Sequence, residues 1–262
     1  MGIDYVTFNQ ICKFAARQDQ NAMNKSLMLG RAKLRYYSGK RQFHIPYKAK
    51  FQKSLDDNGF DLEMGQVIQK DNYAEKMFRK LGLGSIETMD YSDYEFSDNP
   101  EFTGHLHDLS EPVPKKLHNQ YNFIFDGGTL EHVFNVPVAL ENVFDMLKDG
   151  GRFIGVNPLN GWPGHGMYQF SPELIYSFWN RKCGCEVTNC FAMSERPGKY
   201  FKHMKDPNNL TGRSRIGRRM LLWRVIPRGR LYLYYEIKKL ADNLSTKPIM
   251  QTSYLKRWGE GK

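Results

Sequence analysis

Tyr121-Asn122-Phe123-Ile124-Phe125-Asp126-Gly127-Gly128-Thr129-Leu130-Glu131-His132-Val133 is the stretch on which the fold turns. An apolar run ends on an acid, two glycines follow, and a helical pattern begins, as where a strand leaves a sheet and turns into a helix. Glycines at such a turn leave no Cβ in the way of a close approach to the backbone. Downstream, Ala139-Leu140-Glu141-Asn142-Val143 and Met146-Leu147-Lys148-Asp149-Gly150-Gly151-Arg152 read as a helix, a turn and the start of another strand.

Outward from that stretch the same alternation recurs. Candidate strands at 60–64, 85–90, 105–108, 121–126 and 152–157, with candidate helices at 72–81, 136–147 and 172–180, predict βαβ units and a mainly parallel sheet. Gly150-Gly151 is expected to cap the second helix, and Ser171-Pro172 to open the third. The strands end on polar residues, which places those ends along the carboxyl edge, where open α/β sheets bind ligands. Nearer the N-terminus, Phe8, Ile11, Cys12, Phe14 and Ala15 recur at helical spacing, and Ala22–Leu34 reads as a continuation of that helix. Residues 35–53 are basic, aromatic and aperiodic, as in a loop or lid. The expected organisation is a helical lead-in over 1–55, an α/β core over 56–195 and a C-terminal extension over 196–262.

The extension stands apart by charge. Residues 196–262 carry 17 basic and 4 acidic side chains, against 21 and 24 before them, so the whole net charge of +10 belongs to the last quarter. Arginines at 213, 215, 218, 219, 224, 228 and 230 alternate there with Trp223, Tyr232, Tyr234 and Tyr235. Such a segment suits phosphate groups, nucleic acid or an anionic membrane surface, and equally a solvated basic face. With 262 residues, 40% of them hydrophobic, the chain buries a core without disulfides or a structural metal. No apolar run approaches the roughly 18 residues of a membrane span. The N-terminal residues match neither a secretion signal nor a myristoylation signal, and four cysteines in such a chain point to reduced thiols and a cytoplasmic location.

Gly128-Thr129-Leu130-Glu131-His132-Val133 followed by Asn157-Pro158-Leu159-Asn160-Gly161-Trp162-Pro163-Gly164-His165-Gly166-Met167-Tyr168-Gln169-Phe170-Ser171-Pro172 resembles the class I S-adenosylmethionine-dependent methyltransferases, within them a subgroup found among glycan-modifying proteins. The resemblance covers about residues 60–190. It implies a Rossmann-like α/β core, S-adenosylmethionine as cofactor and methyl transfer as the activity. Carried over position by position, it assigns Asp90, with Tyr91 after it, to the ribose hydroxyls, Asp108 and Leu109 to the adenine, and Asp126, Gly127 and Gly128 to the cofactor-lining turn. The family's E-x-G-x-G-x-G turn after the first strand has its nearest match at Glu63-Met64-Gly65, which retains one glycine. Either a variant loop holds the methionine end there, or the chain has the fold without the activity.

Methyl transfer from a sulfonium is an in-line displacement, dominated by alignment of donor and acceptor. A sugar hydroxyl as acceptor also needs a base within reach of its proton. His165, in a glycine-flanked loop on the acceptor side, is the preferred base, and His132, one turn into the expected helix, the second candidate. Asn157, Trp162 and Tyr168 are expected to meet the acceptor, the two aromatic rings by stacking on a sugar or else by packing the loop. Arg218 and Arg219, with Arg224, would hold an anionic group on it or contact a membrane. Nucleic acid is the less favoured partner, because Asp126 is followed by Gly-Gly instead of the Asn/Asp-Pro-Pro-Tyr/Phe motif of base-amine methyltransferases. His105 and His107, two apart on a strand with Asp108 adjacent, could hold a divalent ion, but exposed or hydrogen-bonded histidines are the favoured reading; Cys183, Cys185 and Cys190 lack paired spacing and a close His, and no metal is expected.

Overall fold

The computed structural model describes residues 2–19, 23–35, 47–94, 104–195, 201–207, 230–240 and 248–259. It divides into two units, Met1–Lys148 and Asp149–Lys262.

In the first unit, β1 (Gly2–Ile3) leads into α1 (Tyr5–Ala15), which starts where the Asp4 carboxylate accepts from the Thr7 N–H at 2.9 Å. Then come β2 (Lys25–Leu29) and β3 (Lys33–Leu34), which pairs with β1. The helices α2 (Tyr47–Asp57), α3 (Met64–Val67) and α4 (Glu75–Lys80) precede β4 (Ser85–Asp90) and β5 (Gly104–Leu106). β6 (Tyr121–Asp126) and α5 (Val136–Met146) complete the unit. Its sheet is parallel, in the order β5-β4-β2-β6. The chain builds outward from β2 through β4 to β5 and then returns to the other side of β2 for β6. The order therefore reverses between β2 and β6, where parallel sheets open a crevice beyond their carboxyl ends. Leu27, Met28, Leu29, Phe123, Ile124 and Phe125 are buried, each worth roughly 1.5–3 kcal/mol of transfer free energy. Phe14 of α1 stacks on Phe123 at 5.3 Å, and Phe78 of α4 lies 5.1 Å from Phe125.

The second unit begins within β7 (Leu147–Asn160). Ser171 caps α6 (Pro172–Ile175) by accepting from the Leu174 N–H, and the helix continues in π-helical form over Tyr176–Lys182. Three strands follow, β8 (Glu186–Ser194), β9 (Phe201–His203) and β10 (Leu231–Lys238), then α7 (Thr252–Gly259). β10 lies antiparallel between β7 and β8, and β9 pairs antiparallel with the far side of β8. Among the described residues no helix is long and apolar enough to cross a membrane.

The α/β class, a central sheet flanked by helices, matches the expectation, and the strands at 85–90 and 121–126 fall where the sequence placed them. Four readings change. The expected helical continuation over Ala22–Leu34 gives way to β2, the strand that pairs with both β4 and β6, so Lys25–Leu29 belong to the sheet. Phe60–Met64 is not a strand. Gln52 on α2 takes over the hydrogen bonds a neighbouring strand would make, its Nε2 donating to the Leu62 carbonyl and its Oε1 accepting from the Met64 N–H, both at 2.9 Å. Gly150-Gly151 lies inside β7 instead of capping α5, which ends at Met146 as Leu147 turns extended. Finally, His132 sits in a single 3-10 turn, Leu130–His132, ahead of α5.

Candidate functional site

Three turns converge at the carboxyl edge of the parallel sheet. The first follows β2. Gly30 there adopts φ +64°, a left-handed backbone that favours glycine, and a Cβ on it would run into the Thr129 hydroxyl. Its N–H donates to the Met89 carbonyl at 2.8 Å, joining this turn to the end of β4. Arg31 follows, with its side chain 1% exposed. Its Nε lies 2.5 Å from Glu75, its Nη2 3.1 Å from Asp71, and the guanidinium stacks 3.7 Å from the centre of the Tyr73 ring.

Asp90 ends β4. Its Oδ2 accepts from the Arg31 N–H at 3.2 Å and its Oδ1 from the Tyr91 N–H at 2.8 Å. The carboxylate is thereby aimed by two backbone donors and keeps further lone pairs for a ligand. Tyr91 is exposed beside it.

The third turn leaves β6. The buried Asp126 carboxylate accepts from the Gly128 N–H at 3.0 Å and the Thr129 N–H at 2.6 Å, closing the Gly-Gly turn on itself. Gly128 has φ +101°. Gly127 is glycine for a different reason than access to a ligand: a Cβ there would lie 2.8 Å from the Phe125 ring. The Thr129 hydroxyl then donates to the Leu29 carbonyl at 2.8 Å, bridging the ends of β2 and β6 across the reversal point.

Beyond β5, Asp108 is exposed and accepts from the Ser110 N–H at 2.8 Å, while Leu109 is buried. The loop is strapped by Asn142 of α5, whose Nδ2 donates to the carbonyls of Leu109 and Glu111 and whose Oδ1 accepts from the Val113 N–H. Two expected residues fall elsewhere. Glu63 precedes α3, its N–H donating to Gln66 Oε1 at 2.8 Å, and Gly65 is an exposed helical residue at which a Cβ would meet only open space. Neither follows a strand, and Gly30-Arg31 occupies the position that sequence reading gave them. The short buried run Ser26-Leu27-Met28-Leu29 ahead of Gly30 was the available signal.

His132 is half exposed, with Nε2 3.9 Å from the buried Glu131 carboxylate. In the second unit, the turn 161–166 carries positive φ at Gly161, Gly164 and Gly166, and packs the His165 ring 5.0 Å from Trp162. Trp162 is a pillar of that loop: its indole N–H donates to the Leu231 carbonyl at 2.9 Å, and Tyr232 and Arg230 cover its ring. Of the two roles considered for it, packing is the one realised. Asn157 is also interior, accepting from the Tyr235 hydroxyl at 2.8 Å, so its amide serves the β7–β10 pair instead of facing an acceptor. Tyr168 is partly exposed in the same loop. Arg218, Arg219 and Arg224 lie outside the described residues.

His105 and His107 are held by different partners, His105 by Glu87 at 2.9 Å and His107 by the Glu111 carbonyl at 3.0 Å. Glu87 also accepts from the Tyr121 hydroxyl at 2.7 Å and pairs with Lys25 at 3.1 Å. Burial opposes its charge, but the hydrogen bonds from His105, Tyr121 and Lys25 outweigh that and hold its carboxyl below the usual range, while burial and Glu87 push the Tyr121 phenol up. A depressed carboxylate adds stability above its unfolded value of about 4.3 and loses it as pH falls through the folded one. The gap in melting temperature between the native chain and Glu87→Gln should therefore close on acidification below about pH 4.3. A gap that stays constant down to pH 3 would remove Glu87 from that role. All four cysteines are buried and outside any disulfide, and burial pushes the thiols of Cys185 and Cys190 up to about 12.

No family model matches the chain, and no curated protein does. Solved structures that resemble it include a putative methyltransferase in complex with the Haloferax volcanii Trm112 methyltransferase activator, at 11% identity over 91% of each chain and a TM-score of 0.46. A SAM dependent methyltransferase from Archaeoglobus fulgidus has 10% identity, over 88% of this chain and 94% of its own, at 0.44. The O-methyltransferase of a trans-AT PKS multienzyme of Brevibacillus brevis, in complex with S-adenosyl-L-homocysteine, has 12% identity, over 99% and 77%, at 0.45. Similarity this distant adds nothing to the site. The fold class rests on the strand order and direction given above.

Proposed function

We propose that the chain is an S-adenosylmethionine-dependent methyltransferase whose acceptor is a hydroxyl of a carbohydrate or other small anionic molecule. The observation that carries this reading is the meeting of Asp90, the Gly30 turn and the Asp126–Thr129 turn at the reversal point of a parallel sheet. The donor set fits the cofactor. Asp90 keeps acceptor capacity suited to ribose hydroxyls, and exposed Tyr91 offers a ring face for a purine beside it. S-adenosylmethionine supplies an electrophilic methyl whose transfer removes the positive charge on sulfur.

This chain's own residues have the remaining tasks. Asp90, Tyr91, Asp108 and Leu109 bind and orient the nucleoside end. Asp126 holds Gly127 and Gly128 in the conformation that lines it. His165 accepts the acceptor hydroxyl's proton on a ring nitrogen, a neutral imidazole being the side chain best matched to that work near pH 7. The basic residues of 196–262, Arg218 and Arg219 among them, favour an acceptor that carries phosphate.

A module of this fold without the activity is the competing reading. It is favoured by one observation: the turn after β2 holds a single glycine and a buried Arg31. Calorimetric titration with S-adenosylmethionine separates the two. Saturable binding is expected, weakened in Asp90→Ala by about 10- to 150-fold, the equivalent of a lost charge-assisted hydrogen bond of about 1.5–3 kcal/mol. No binding by the native chain would favour the inactive module, and unchanged binding by the variant would show Asp90 to be wrongly assigned.

A further inference from the structure

We propose that the outer face of α7 docks the protein on an anionic lipid surface. The inner side of this helix is fixed. Both the backbone N–H and the hydroxyl of Thr252 donate to Glu173 Oε1, and Arg181 bonds Thr252, Glu173 and Asp206 together. Tyr254 and Trp258 come two and six positions after Thr252, which at about 100° per residue turns both to the opposite side. They are 43% and 57% exposed, and their rings lie 5.0 Å apart, tilted by 37°. The Arg257 guanidinium lies 6.0 Å from the Tyr254 ring. Ile249, just ahead of the helix, and Leu240 are exposed as well.

An exposed tyrosine–tryptophan pair beside arginine on a short amphipathic helix is the composition that settles at the headgroup level of a bilayer, apolar ring bodies inward and polar tips in water. The charge selects the occupant. Arg257 borders the ring pair and the chain carries a formal net charge of +10, which attracts an anionic surface and repels a second copy. Exposed Ile249, three residues ahead of the helix, favours hydrocarbon over nucleic acid, where an aliphatic side chain finds no stacking partner. Each Lys or Arg near such a surface adds about 1 kcal/mol, reduced by salt within a Debye length. The inference is independent of methyl transfer.

The full-length chain should co-sediment with vesicles of phosphatidylcholine containing about 30% phosphatidylglycerol, but not with phosphatidylcholine alone, and salt should weaken binding. Tyr254→Ser with Trp258→Ser should reduce partitioning by about tenfold or more. Arg257→Glu, which keeps both rings, should reduce it on the anionic vesicles, and decides the matter should the double variant fold poorly by circular dichroism. Cofactor titration of the same variants should be unchanged, so failure here is distinguishable from failure of the methyltransferase reading. Equal binding to both vesicle types, indifference to both variants, or binding of a single-stranded oligonucleotide through the two rings with vesicles ignored would each overturn the proposal.

Discussion

Arg31→Ala should lower the stability of the first unit by about 3–5 kcal/mol, because it strands a carboxylate and does more than delete a contact. The guanidinium is out of water, held by Glu75 and Asp71 over the Tyr73 ring, and the Glu75 side chain is itself only 12% exposed. Glu75 Oε2 has no hydrogen-bond partner among the described residues. With Arg31 gone, both its oxygens lie in a poorly solvated place without compensation. At roughly 2–4 °C per kcal/mol for a domain of this size, calorimetry should show a drop of roughly 6–20 °C. Arg31→Ala combined with Glu75→Leu should recover much of the loss, since the two residues are coupled. Arg31→Lys should recover little, a point charge being unable to reproduce the fork and the ring stacking together. A single-variant loss below about 1 kcal/mol would mean that the pair is solvated and the turn is held by its backbone bonds alone.

His165→Ala is expected to reduce turnover by about 10²–10⁴-fold while leaving the affinity for S-adenosylmethionine close to native. The low-pH limb of the rate profile, set by protonation of that imidazole, should vanish with it. His132→Ala should behave differently. That residue follows the Gly-Gly turn directly and stands 3.9 Å from the buried Glu131, so its loss should disturb the turn and weaken cofactor binding along with rate. Normal donor affinity with lost turnover in the His132 variant, beside an active His165 variant, would reverse the two assignments.

The parts of the fold legible in the sequence are those whose local signals agree. Ser85–Asp90 and Tyr121–Asp126 each end on an acid before a turn, and Ser171-Pro172 combines a capping hydroxyl with a first-turn proline. β2 went unread because it is covered on both faces. Leu27, Met28 and Leu29 are all buried, so the alternation that marks a half-buried strand is missing, and leucine and methionine favour helix when taken alone. With β2 hidden, the first-strand turn found its nearest match at Glu63 and Gly65. Phe60–Met64 shows the converse: its apolar–polar alternation suits a strand, but Gln52, on a helix, satisfies the backbone first. In the site, the type and order of Asp90 and Asp126 were readable, whereas what aims them was not. The Arg31 N–H and the Thr129 hydroxyl act from residues far away in the chain.

The Thr129 bridge to Leu29 spans 100 positions, and the Arg31 bond to Asp90 spans 59. During synthesis from the N-terminus, β2, which lies between β4 and β6, is among the first strands to be made and must wait for both its neighbours. The closure entropy of such loops rises only slowly with length, so the assembled edge loses little stability to it, but contacts of long sequence separation delay the search that finds them. Until β6 has emerged, the apolar run from Leu27 to Leu29 has an unpaired side, an opening for wrong strand pairing or for a chaperone. The bond that ties the two ends of the reversal point therefore cannot form until Thr129 has been made, about half-way along the 262 residues.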